Sequence, residues 1–177
     1  MFELVHEVKL AADYLKQRSP EPPSLGLILG SGLNPFADTL EDKVKVAFRE
    51  IPGFAPSTVE GHAGNVVFGK LAGLRILALQ GRFHFYEGHS LARTTLPVRL
   101  MASLGVKTVI LTNAAGGVNR NFKPGDLMLI RDHINLFGTN PLIGPNHDAW
   151  GPRFPDLSQV YDRDLAALVR GVAKKFD

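Results

Sequence analysis

The sequence has 177 residues, of which 45% are hydrophobic and 21% are charged, a composition typical of one globular domain. Its net charge of +3 arises without any run of basic residues, which argues against a protein that binds nucleic acid. Cysteine is absent, which excludes disulfides, a thiol nucleophile and a cysteine metal site. Neither a signal peptide nor an apolar run of membrane-spanning length is evident, so we expect a cytoplasmic protein without a membrane partner.

The chain opens with a helix and a strand that ends in a glycine-rich turn. Apolar residues at helical spacing predict an amphipathic helix over residues 4–15, and a short apolar strand follows at 25–29. This strand continues directly into Gly30-Ser31-Gly32, whose backbone N–H groups and hydroxyl could form a small anion nest. A plain tight turn is an equally good interpretation of these three residues.

Residues 41–58 are polar and interrupted by prolines, which predicts a loop or an irregular strand. They lead to His62, which lies among glycines on a predicted turn. A solvated loop histidine is the more common case for such a residue, and anion binding is the alternative. Beyond it, residues 64–70 and 74–79 predict a hairpin whose second strand is buried.

Aromatic and basic residues follow that buried strand. If strand geometry persists, Arg82, His84 and Tyr86 share one face, and Phe83 and Phe85 share the other. A guanidinium, an imidazole and a phenol on one face suit a phosphorylated or phosphate-attacked small molecule. An edge strand with a solvated polar face is the alternative. The spacing of the histidines here is no zinc signature, so we predict no metal site.

The second half of the chain continues the alternation of strands and helices. We predict a helix over residues 91–104 that is bent near Pro97, strands at 106–111 and 126–130, an irregular loop at 137–157 and a final helix at 161–176. The small residues at 112–117 follow a strand, where a ligand can approach the backbone closely. The pattern predicts an α/β fold with a mixed, largely parallel central sheet flanked by helices, in one domain spanning residues 1–177.

Several motifs in this order together resemble the trimeric purine nucleoside phosphorylases, in the family that they share with methylthioadenosine phosphorylase. The resemblance is carried by Leu29-Gly30-Ser31-Gly32-Leu33, Glu60-Gly61-His62-Ala63-Gly64, Gln80-Gly81-Arg82-Phe83-His84-Phe85-Tyr86-Glu87-Gly88, Thr112-Asn113-Ala114-Ala115-Gly116-Gly117, Met128-Leu129-Ile130-Arg131-Asp132-His133-Ile134-Asn135 and Arg153-Phe154-Pro155. It implies a nucleoside phosphorylase fold and a transferase of purine salvage. Such enzymes use phosphate as a co-substrate, need no cofactor, and release a purine base and ribose 1-phosphate from a nucleoside.

The resemblance also implies roles for particular residues. Phosphate would be held by Ser31, His62, Arg82, His84, the backbone N–H of Ala114 and the main chain of Phe83. Arg82 and His84 would be the catalytic residues. Tyr86 would bind a ribose hydroxyl, and Phe154 would cover the ribose in a neighbouring subunit of a homotrimer.

The residues that bind the purine in this family have no counterpart in these 177 residues, and we expect them to lie beyond Asp177. The base preference therefore stays open. Methylthioadenosine phosphorylase is the alternative enzyme, and a non-catalytic phosphate-binding fragment is an alternative of another class.

Overall fold

The computed structural model describes residues 2–54 and 64–176, with Phe2 described for its backbone alone. His62, one of the predicted phosphate ligands, lies outside these residues. The chain divides into two compact units, Met1–Ala115 and Gly116–Asp177. The expectation of one domain over residues 1–177 stays a prediction.

The first unit contains the sheet. Its helices and strands in chain order are α1 (Phe2–Lys16), β1 (Leu25–Leu29), β2 (Glu41–Ala47), β3 (Asn65–Leu71), β4 (Leu74–Gln80), α2 (Leu91–Ser103) and β5 (Thr108–Leu111). Short 3₁₀ turns lie at Asn34–Thr39, Phe48–Glu50 and Phe85–Glu87. The predicted first helix, first strand and hairpin are confirmed, and the irregular segment after residue 41 begins as β2.

The five strands follow the order β2-β3-β4-β1-β5. β1 lies between β4 and β5 and is parallel to both, whereas β2, β3 and β4 pair in antiparallel fashion. This arrangement confirms the predicted α/β class with a mixed sheet. Because β4, β1 and β5 run in the same direction, their carboxyl ends meet at one edge of the sheet, with Leu29 opposite Gln80 and Ile28 opposite Leu111.

The core of this unit joins the sheet to the helices. Leu77, Leu79 and Leu96 are fully buried, as is Pro97 within α2. Met101 of α2 packs so close to Gly26 of β1 that a β-carbon there would lie 2.7 Å from its sulfur. Glycine at this position therefore allows α2 to pack against the strand from which the candidate site projects.

The second unit contains α3 (Arg163–Ala173) and the short 3₁₀ turn Asp148–Trp150. The predicted final helix and the irregular loop over 137–157 are confirmed. The predicted strand over residues 126–130 is wrong: these residues pair with no other strand in the described chain, and Leu127 is fully exposed. Apolar composition alone suggested a strand there, but a strand also needs a neighbour for its backbone hydrogen bonds.

Among residues 2–54 and 64–176, no helix combines the length and apolar character that crossing a membrane would require.

Candidate active site

Thr112, the residue after β5, joins two loops at the carboxyl edge of the sheet. The Gly30 N–H donates to Thr112 Oγ1 at 2.8 Å, and that hydroxyl donates to the carbonyl of Ile28 at 3.1 Å. A β-carbon on Gly30 would lie 2.6 Å from the Thr112 carbonyl oxygen, closer than packed atoms tolerate. Glycine is therefore required for the turn after β1 to approach the turn after β5 this closely.

Arg82 is fastened to the same threonine. Its half-buried guanidinium donates to the Thr112 carbonyl oxygen at 2.7 Å through a single Nη1 nitrogen. It forms no ion pair with a carboxylate in the described part of the chain. A guanidinium has five N–H donors, and only one nitrogen is used here. Arg82 therefore retains N–H donors, as well as its positive charge, for binding an anion.

The predicted alternation of side chains through residues 82–86 is wrong. β4 ends at Gln80, Gly81 has a φ of 114°, and Phe85–Glu87 form a 3₁₀ turn. Phe83 is only 5% exposed, whereas Phe85 is 47% exposed. A positive φ at glycine redirects the chain, so a two-residue period no longer describes which face each side chain takes.

Phe83 is the anchor of this segment. Its ring lies 5.8 Å from the Phe48 ring centroid, 5.3 Å from Phe54 and 5.3 Å from His89. Such tilted and edge-on aromatic contacts are favourable beyond the area they bury. Because Phe83 lies between Arg82 and His84 in the chain, its packing restrains the backbone from which both side chains project.

His84 is held by the turn that follows it. Its backbone N–H donates to Glu87 Oε1 at 2.9 Å, a reciprocal capping arrangement that fixes the start of the 3₁₀ turn. The His84 and Tyr86 rings stack, with centroids 4.7 Å apart and 19° between their planes. The structure thus brings the predicted imidazole and phenol together, by a turn rather than by a strand face.

The remaining predicted residues take different places. Ser31 is exposed on the turn after β1, which closes through the Leu33 N–H to the Gly30 carbonyl at 3.1 Å. Ala114 is exposed two residues after Thr112. Phe154 belongs to the second unit, where its ring is 86% exposed and lies 5.8 Å from the Arg153 guanidinium carbon.

Sequence reasoning missed two residues that organise this edge, Thr112 and Gln80. Gln80 is buried at the end of β4; its amide donates to the Asn34 carbonyl at 2.9 Å and its oxygen accepts from Asn65 Nδ2 at 3.3 Å. It therefore fixes the chain beyond the turn that carries Ser31. A polar side chain closing an apolar strand is the signal that could have identified both residues.

The arrangement is suited to an anion. It combines a guanidinium, an imidazole, a hydroxyl and turns rich in backbone N–H groups at the carboxyl edge of parallel strands, where α/β sheets bind ligands. Within the described ranges, no group of three or more His, Asp or Glu side chains is placed to hold a metal ion.

Comparison with known proteins gives consistent matches. Residues 24–177 match the Phosphorylase superfamily. The chain is 57% identical to purine nucleoside phosphorylase 1 of Bacillus subtilis over 94% of this chain and 62% of that protein, and 49% identical to mouse purine nucleoside phosphorylase over 90% and 56%.

A solved structure agrees with the sequence matches. Isoform 2 of purine nucleoside phosphorylase from Schistosoma mansoni, in complex with cytosine and ribose-1-phosphate, superposes with a TM-score of 0.90 at 46% identity. The match covers 97% of this chain and 61% of that one. The chain thus spans roughly three-fifths of the length of these relatives.

Proposed function

Because this chain belongs to the Phosphorylase superfamily, we propose that it carries the phosphate-binding part of a purine nucleoside phosphorylase active site. In the proposed reaction a phosphate oxygen bonds to C1′ of a purine ribonucleoside or deoxyribonucleoside. The bond from C1′ to the base breaks, and its electron pair leaves with the purine. The products are a free base and a pentose 1-phosphate.

One observation carries the proposal: the Gly30 backbone N–H and the Arg82 guanidinium both donate hydrogen bonds to Thr112 at the carboxyl edge of the sheet. This convergence supports a phosphate site there, built from the groups that the resemblance implies. Those groups are the Ser31 hydroxyl, the Arg82 and His84 side chains, the Phe83 main chain and the Ala114 N–H, and His62 is proposed on the resemblance alone.

The chemistry of these groups suits phosphorolysis. Arg82 would neutralise part of the charge on the phosphate dianion and, with His84, hold an oxygen in line with C1′. The transition state carries positive charge on the ribose, which the adjacent dianion stabilises electrostatically. Tyr86 would bind a ribose hydroxyl, and phosphate enters as a co-substrate rather than as a cofactor.

The proposed site also depends on the oligomeric state of the protein. We propose a cytoplasmic homotrimer in which Phe154 of one subunit covers the ribose site of the next. The exposure of Phe154 leaves its ring available for such a contact. The bound ribose-1-phosphate belongs to the Schistosoma mansoni relative, and it supports a pentose phosphate as the ligand class.

These 177 residues are expected to bind phosphate but to catalyse phosphorolysis poorly. The chain spans about three-fifths of the length of its relatives. The resemblance implies that the groups that stabilise the departing base lie outside these residues. Loss of one preorganised transition-state contact typically lowers the rate about a hundredfold to a thousandfold.

The proposal is tested by calorimetric titration of the chain with phosphate, together with an assay for hypoxanthine released from inosine. Arg82→Ala should weaken phosphate binding by roughly tenfold or more, since charge-assisted hydrogen bonds contribute about 1.5 to 3 kcal/mol. Phe85→Ala, the matched control on an exposed side chain, should change it little. Equal losses in both variants, or no phosphate binding at all, would refute the site.

Methylthioadenosine is assayed in parallel with inosine. Phosphate-dependent release of adenine from it, with no reaction of inosine, would favour the alternative enzyme. Turnover of inosine at ordinary enzyme rates, roughly 1 to 1,000 per second, would show that these residues suffice for catalysis.

A further inference from the structure

A cavity of about 390 Å³ in the second unit has an unusual lining. Three of the residues around it are arginines: Arg131, which follows the segment 126–130, and Arg163 and Arg170 of α3. They come from parts of the chain more than thirty residues apart. All three nevertheless line the same open cavity, and all three are exposed to solvent.

The spacing within α3 explains half of this arrangement. Arg163, Ala166 and Arg170 are three and four residues apart, so they lie along one face of the helix. Ala166 has the smallest chiral side chain and therefore leaves space between the two arginines. The helix thus forms a cavity wall that is charged at both ends and open in the middle.

The three guanidinium groups are not neutralised by any residue that the structure describes. None of them forms a hydrogen bond or an ion pair with any residue of the described chain. By contrast, Arg75 and Arg93 of the first unit pair with carboxylates at 2.5 Å and 2.9 Å.

One carboxylate, that of Asp132, also lines the cavity, and it accepts a hydrogen bond from the His133 N–H at 2.8 Å. The lining therefore has an excess of positive charge. Like charges gathered around one volume repel each other, and an anion placed among them removes that repulsion.

We propose that this cavity binds a small phosphate-bearing anion through Arg131, Arg163 and Arg170. Guanidinium groups present planar pairs of N–H donors that match phosphate oxygens. The volume lies in the range of small-molecule sites and exceeds what a single phosphate group would occupy. A diphosphate and an organic phosphomonoester share the required chemistry, and the two are separated by experiment.

The test is calorimetric titration of the full chain with inorganic pyrophosphate and, separately, with glycerol 3-phosphate. Both titrations are repeated in Arg82→Ala, which removes the proposed catalytic phosphate site but leaves the cavity intact. The double variant Arg163→Gln with Arg170→Gln should weaken binding to the cavity at least about tenfold. Arg120→Gln is the matched control, because Arg120 is an exposed arginine of the same unit that does not line the cavity.

The expected result is binding that survives Arg82→Ala and Arg120→Gln and is lost in the double variant. Preference for one of the two ligands then assigns a diphosphate or a phosphomonoester. Unchanged binding in the double variant, an equal loss in Arg120→Gln, or loss of all binding in Arg82→Ala would each overturn the proposal. Thermal unfolding of every variant confirms that lost binding does not reflect lost fold.

Discussion

The hydroxyl of Thr112 offers a sharp test of how the candidate site is assembled. Thr112→Val keeps the branched shape of the side chain and removes the oxygen that accepts from the Gly30 N–H and donates to the Ile28 carbonyl. The Ile28 carbonyl retains a second donor, the Thr112 N–H at 3.0 Å. The Gly30 N–H loses its acceptor, so the cost of the substitution falls mainly on that one group.

The loss of this acceptor sets how far Thr112→Val lowers the free energy of unfolding. A donor left without a partner in the interior costs about 1 to 3 kcal/mol, and this site is only partly buried. We therefore expect Thr112→Val to lower the free energy of unfolding by about 1 to 2 kcal/mol. Phosphate affinity should fall as well, because the turn that carries Ser31 loses its hydrogen bond to Thr112, the residue whose carbonyl oxygen accepts from Arg82.

Urea denaturation measures the free energy of unfolding, and calorimetry measures phosphate affinity. Thr112→Ser is the control, since it retains the hydroxyl and removes only the methyl group. It should stay within about 0.8 kcal/mol of the parent chain, the most that one buried methyl group contributes. If Thr112→Val matches the parent in both measurements, the hydroxyl does not join the two turns. If Thr112→Ser is as damaging as Thr112→Val, packing of the methyl group is the cause instead.

Gly30, the Asp42–Lys70 pair and Phe154 can each be tested by a single substitution. Gly30→Ala places a β-carbon 2.6 Å from a carbonyl oxygen and should destabilise the chain by about 1 to 3 kcal/mol, whereas Gly116→Ala, with open space around it, should have little effect on the urea midpoint. A hydrogen bond and the charge of Lys70 lower the pKa of Asp42, so this carboxylate stabilises the fold above its ordinary pKa and ceases to do so as the pH falls through the lowered one. Lys70→Met should therefore raise the Asp42 pKa in a carboxyl NMR titration, and an unchanged titration curve would exclude the pair in solution. Phe154→Ala should leave the phosphate affinity of an isolated subunit intact and lower nucleoside affinity only in an assembly; a strictly monomeric mass by light scattering would remove the basis for that role.

Much of the secondary structure was predictable from the sequence, because helical and strand periodicities are local. The amphipathic pattern of α1, the apolar run of β4 and the turn at Gly30 each depend on residues close together in the chain. The order of the motifs was also sufficient to indicate the family, since it depends on residue identity rather than on geometry.

Tertiary structure decided the points that depend on distant partners. Residues 126–130 have the composition of a strand, but the described chain offers no strand beside them. The change of direction at Gly81, which buries Phe83 and exposes Phe85, depends on the aromatic cluster that receives Phe83. No local period encodes such a choice.

The site itself depends most on the tertiary structure. The chemical groups that suit an anion are evident in the sequence, but Gly30 and Arg82 meet at Thr112 only because β1 pairs in parallel with both β4 and β5. Strand order is a property of the whole sheet, determined by which apolar surfaces pack together. Residue types thus predicted which groups suit an anion, and the packing of the apolar faces of the sheet determined where those groups meet.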